Sequence, residues 1–427
     1  MFKKSSLLGL LAVLVASASP AQFVQYTPPG DFRSPAQARE DVFRQRMDDA
    51  AWRFGKLLVD PWIGIRQLGY EDAVVDASGE EVSDLSITMG AGLNAYLPVG
   101  SDWVWGAFIL PEYSWWREVE ERRRFNGRYG SGLFGNLGRL GLELSASRRE
   151  EATVLSREIE NRVNQRLDRA VVEGTVDIGK GVLLFVNSSE ARVRSLEDEL
   201  FPRDVSMLDR DETIHQGGVS FVFGRGVRAG VGYEVSEAIF TQSGSSFSGR
   251  SNSGDGVVFN LEYETPLLTL FADMARRSIE PEGPSQFSPF DGNTGELNLT
   301  WRLLGAVRAE LFMRRDLAFS LQGDVSHLED ESLGAALRLS LGSSSSLRLL
   351  HEDGDVTFIP VTGVEDVRRL DRRTTWGLEM NGRLENIALT LRGTRTEYES
   401  TLPEFTREYS RISLSLGFGG DGVVPWR

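Results

Sequence analysis

The chain has 427 residues, no cysteine, a hydrophobic fraction of 41% and a formal net charge of −15. These figures exclude disulfides and thiolate metal sites and a general nucleic-acid binder. No run of about 18 apolar residues occurs past the N-terminus, which excludes a helical membrane bundle. A β-barrel stays open, because its polar interior hides its membrane face from the mean hydropathy of −0.23.

Residues 1–21 begin with Lys3 and Lys4, run through an apolar core from Leu7 to Val15 and close on small residues. That order predicts a secretory signal peptide. Residues 22–58 read as a periplasmic leader. Ser34 suits an N-cap, Pro35 the first helical position and Gln37 the third. Phe43, Met47, Ala50, Ala51 and Phe54 then recur at steps of three and four, and Gly55 ends the run. The spacing predicts one short amphipathic α-helix, either plugging the lumen, lying at its mouth or packing under the first strand.

From residue 59 to 419 the period is two. Leu85, Ile87, Met89, Ala91, Leu93 and Ala95 alternate with Ser86, Thr88, Gly90, Gly92, Asn94 and Tyr96, which predicts a long strand with one apolar and one polar face. A turn at residues 99–102 leads into a second strand from Trp103. Further short turns are predicted at 136–139, 179–181, 224–226, 265–267, 304–306, 342–345 and 385–386. Longer polar stretches, 195–212, 241–255, 278–294 and 358–373, lie between them. Alternating short and long connections predict an all-β, antiparallel up-and-down transmembrane barrel of about 18 strands (16–18, since residues 314–328 are weakly patterned), with its short turns in the periplasm.

The faces sort by the same period. Leu140, Leu142 and Leu144 oppose Glu143; Val231 and Tyr233 oppose Glu234; Leu297, Leu299 and Trp301 oppose Asn298 and Arg302. One register puts nearly all charge inside, as it must, since an arginine at the bilayer midplane costs ~2–4 kcal/mol. So wide a ring cannot close on a packed apolar core, so the apolar face points outward. The candidate lumen-lining residues are Arg228, Arg302, Arg308, Arg338, Arg348, Arg383 and Arg392, facing Glu234, Glu262, Glu310 and Glu379. Opposed charges of this kind tune the selectivity of a pore.

The three histidines are His215, His327 and His351. Only His351-Glu352-Asp353-Gly354-Asp355 suggests the histidine and acid of a hydrolase. Isolated histidine and acid at a barrel rim are ordinary solvated residues, so no enzyme is expected. No spacing suits a metal or cofactor. Residues 412–418 alternate and finish on Phe418, resembling the C-terminal signal read by the outer-membrane insertion machinery. Residues 420–427 follow as a tail.

Arg53-Phe54-Gly55-Lys56-Leu57, Pro61-Trp62-Ile63-Gly64-Ile65, Leu68-Gly69-Tyr70-Glu71-Asp72 and the run from Leu93 to Gly100 resemble the first strands of the beta-barrel porin 2 type of outer-membrane protein. Many of that type are linked to exopolysaccharide export. The resemblance implies a Gram-negative outer membrane, with its lipid and lipopolysaccharide as surroundings and polysaccharide-export components as further partners. It brings no catalytic residue. The expectation is a porin-like channel for small polar solutes or an exported polysaccharide. The alternative is a closed structural or adhesive barrel that acts through its loops.

Overall fold

The computed structural model describes residues 46–48, 50–75, 81–156, 158–196, 205–224, 226–241, 250–282, 287–363 and 369–419. Nineteen strands form one sheet. They are β1 (Trp52–Phe54), β2 (Leu57–Val75), β3 (Glu81–Val99), β4 (Trp103–Trp116), β5 (Arg124–Leu137), β6 (Leu140–Ser156) and β7 (Ile159–Gly179). Then come β8 (Val182–Ser195), β9 (Arg210–Val222), β10 (Val227–Phe240), β11 (Asn252–Glu264), β12 (Leu268–Pro281) and β13 (Phe290–Leu304). The last are β14 (Val307–Phe319), β15 (Val325–Ser340), β16 (Ser345–Pro360), β17 (Leu370–Leu384), β18 (Ile387–Ser400) and β19 (Arg407–Gly419).

The short β1 pairs only with the start of β2. The other eighteen each pair antiparallel with their sequence neighbours, and β19 returns to β2 to close the ring. Closure leaves no edge, which is the condition for crossing a bilayer with strands. No helix among the described residues is long and apolar enough to cross a membrane. Of the predicted leader helix, residues 46–48 are helical, and the rest lies outside the described residues, as do the predicted signal peptide and the tail at 420–427. Met47 and Ala50 pack on Leu58, Tyr96, Val104 and Phe134. The leader therefore meets the inner wall at the short-turn end.

All eight predicted short turns join strands, six of them carrying glycine, with left-handed backbone at Gly100 (φ 72°) and Gly138 (φ 65°). The far connections are shorter than the polar stretches suggest, because strands of up to 21 residues run on past the membrane, where about 9–11 suffice. Residues 210–212 belong to β9 and Arg372 and Arg373 to β17. The β6–β7 connection is only residues 157–158.

Leu299 sits between Leu270 and Leu311, and Leu311 beside Ala335, in the outward band. The interior changes along the axis. Near the long loops it is packed: Phe240, Ile279, Phe287, Phe290, Leu317 and Phe319 form an apolar cluster. Even Asn298, at mid-barrel, is 5% exposed with Phe271 and Phe312 as its cross-strand neighbours.

Candidate functional site: the charged lumen

Towards the short turns the inner wall is open to water. Arg302 and Arg383 are exposed, and Thr300, Thr390 and Arg392 are half-buried. Towards the long loops, inward charges such as Glu112, Glu234, Glu352 and Arg373 are fully enclosed. The lumen is a vestibule that narrows to an ion-paired interior. Charges buried this way need partners, because an unpaired one costs several kcal/mol.

The residues singled out from sequence fall into small groups rather than one ring. Glu310 lies between Arg348 (2.7 Å) and Arg338 (3.2 Å). Arg228 faces Glu262 at 3.9 Å. Arg277 donates to Glu234 at 3.0 Å and to Thr294 at 2.8 Å. Glu379 accepts from Asn381 at 2.6 Å. Arg383 turns to its own turn, donating to the Glu385 carbonyl. Arg308 is half-buried, opposite Arg302 and Arg338 on the neighbouring strands.

The densest cluster was missed from sequence. On β2, β4, β5, β6, β7 and β19, five arginines surround three carboxylates. Arg66 bonds Glu112 at 2.5 Å. Glu151 is held by Arg128 (2.5 Å), Arg149 (3.2 Å) and Arg66 (3.8 Å). Glu71 takes Arg162 (3.0 Å) and Arg411 (3.3 Å). Strands β2 and β7, not paired in the sheet, touch here, so the cluster marks a constriction with surplus positive charge. A second group, with no such surplus, joins Arg373 to Glu352 and Asp330, with Arg314 at 3.2 Å from Asp316 and 3.9 Å from Glu352. The signal failed because β6 and β7 carry charge on both faces at this level: Arg148 pairs with Asp168 and Arg166 with Glu150 on the outward register.

Strand alternation splits the histidine cluster. His351 and Asp353 lie outside, 2.9 Å apart, with the ring 4.1 Å from Trp376, while Glu352 points in. His215 meets Ser188 at 3.0 Å, and among the described residues no carboxylate bonds that ring. His327 is sealed against Phe287. Among the described residues no three His, Asp or Glu side chains are placed to hold a metal.

No protein-family model and no curated protein matches the chain in sequence. Solved structures do match in fold. A BenF-like porin from Pseudomonas fluorescens Pf-5 superposes with a TM-score of 0.52 at 11% identity, over 84% of this chain and 98% of its own. OccAB3 of Acinetobacter baumannii gives 0.51 at 11%, over 86% and 100%. OccK2 (OpdF) of Pseudomonas aeruginosa, in complex with glucuronate, gives 0.51 at 12%, over 85% and 98%. The likeness is one of fold: the chain is an eighteen-stranded closed antiparallel barrel, as these outer-membrane porins are.

Proposed function

We propose that the chain is an outer-membrane channel for small polar solutes, carboxylates among them. The observation that carries this is the charged interior of a closed eighteen-strand ring, its wall exposed at the short-turn end and narrowing to the cluster where five arginines meet Glu71, Glu112 and Glu151. Charge inside such a ring costs desolvation that uncharged polar residues would largely avoid, so its presence speaks for a role in passage. Paired arginines leave donors for a passing carboxylate, which guanidinium recognises through two parallel bonds. The glucuronate bound by OccK2 is a solute of that class on a similar fold.

The narrow, ion-paired interior favours small solutes over an exported polysaccharide, for which only the sequence resemblance speaks. On this reading the signal peptide at residues 1–21 directs export, and the last strand is what the insertion machinery reads. The test is conductance of the refolded mature chain in planar bilayers under a salt gradient. Ohmic steps with an anion-directed reversal potential are expected. Silence from a demonstrably folded barrel would overturn the channel and favour a closed barrel acting through its loops.

A further inference from the structure

The β14 side of the β14–β15 hairpin leaves the wall, while β15 stays on β16 as far as Val325 and Pro360. Pairing between β13 and β14 stops at Gly295 and Arg315, although β13 continues to Phe290, while β14 and β15 stay paired to Phe319 and His327. Leu317 and Phe319 hold the outward register, yet they pack on the inward-facing Phe240, Ile279 and Phe290. The tip therefore bends over the mouth. Arg250, from the β10–β11 connection, fastens it by donating to the carbonyls of Ser320, Gln322 (2.6 Å) and Val325 (3.0 Å).

Its far side reaches the opposite wall. Glu158, in the two-residue β6–β7 turn, accepts from the Ser320 hydroxyl at 2.9 Å and the Leu321 amide at 2.8 Å. Glu158 is 7% exposed and Ser320 0%. Strands β6 and β14 stand eight places apart in a ring of eighteen, where nine would be diametrically opposite. These two contacts span the lumen.

We propose that Glu158 and the β14–β15 tip form a latch across the long-loop mouth, and that solutes pass when the latch opens; this rests on the channel reading above. The two halves differ in kind. The tip is seated on an apolar cluster and held by Arg250. Glu158 is held to it by hydrogen bonds from Ser320 and Leu321. Loss of the Glu158 contacts parts the β6–β7 end from the tip, which stays seated on that cluster and on Arg250. Arg250 and Arg369 face Glu158, Asp324 faces Arg250, and Asp371 pairs with Arg369 at 2.5 Å.

The chain lacks cysteine, so Glu158→Cys with Leu321→Cys can be joined by a short, reducible bis-thiol reagent. Folding is monitored by heat-modifiable gel mobility. The folded barrel should crosslink, lose its open level in planar bilayers and regain it on reduction, while Glu158→Ala should spend more time open than the parent. Steps from Glu158→Ala over a silent parent would also support the latch. Absence of crosslinking in the folded barrel, or equal conductance before and after reduction, would overturn the latch and leave the channel standing. Silence of every folded variant would overturn the channel reading and the latch with it.

Discussion

Arg162 on β7 and Glu71 on β2 meet at 3.0 Å across the interior, although four strands separate theirs in the ring. The pair draws two walls together, and Arg162 also reaches Gln67 at 2.7 Å. Glu71 keeps Arg411 on its other side, so losing Arg162 does not strand the carboxylate. Arg162→Ala should therefore fold with a loss of about 1–3 kcal/mol and widen the constriction. The expected reading is a larger single-channel conductance than the parent's. An unchanged conductance would place the narrowest point elsewhere.

Glu310 neutralises two arginines at once. Glu310→Gln keeps the shape and removes the charge, so Arg338 and Arg348 lose the carboxylate they share. The reversal potential in a salt gradient should move further towards anions, with a stability loss of about 1–3 kcal/mol. A shift towards cations would mean that these side chains do not border the solute path.

The latch carries a pH dependence whose sign follows from Glu158. Burial pushes its carboxyl above the ordinary 4.5, outweighing the Leu321 amide, the Ser320 hydroxyl and the two arginines, which hold it down. The closed form thus binds the proton more tightly than an open, solvated Glu158 would. Its extra stability is fully present below the ordinary value and is lost as pH rises through the raised one. Burial lowers Arg250 to about 10, so it stays charged throughout this window. Acid should close the channel. Open probability recorded between about pH 8 and about pH 4 should fall with pH in the parent and stay flat in Glu158→Gln. The same fall in both would assign the dependence to another group.

What the sequence made legible tracks where water and lipid meet the wall. In the short-turn half, apolar outward and polar inward residues alternate, as at Leu297, Asn298 and Leu299, so strand, face and turn could all be read. Beyond the membrane both faces are wet, and Arg148, Arg149, Glu150 and Glu151 give no register; the Glu151 and Glu71 clusters were invisible for that reason. Residues 314–328 are weakly patterned because the hairpin tip is apolar on both parities. Leu317 and Phe319 pack on one cluster, while Val325 and Leu328 pack with Val356 and Phe358 on another. The latch needs contacts between residues 162 apart, and no local pattern encodes those.

The face assignment can be tested on one neighbouring pair of strands. Leu311 on β14 is 51% exposed, flanked by Leu299 and Ala335 in the outward band. Leu311→Arg should destabilise the inserted barrel by ~2–4 kcal/mol. Thr300 on β13 points inward beside Glu310, in the half of the lumen that water reaches. Thr300→Arg adds a guanidinium next to a carboxylate and should cost little. Asn298, two residues away on the same face, behaves differently. It is enclosed by Phe271 and Phe312, so Asn298→Arg should damage the fold through overpacking and a desolvated charge. Reversible folding into lipid vesicles measures all three. Tolerance of Leu311→Arg together with damage from Thr300→Arg would put the wrong face towards lipid. Tolerance of Asn298→Arg would mean that water reaches mid-barrel, and the interior would be wider than its packing indicates.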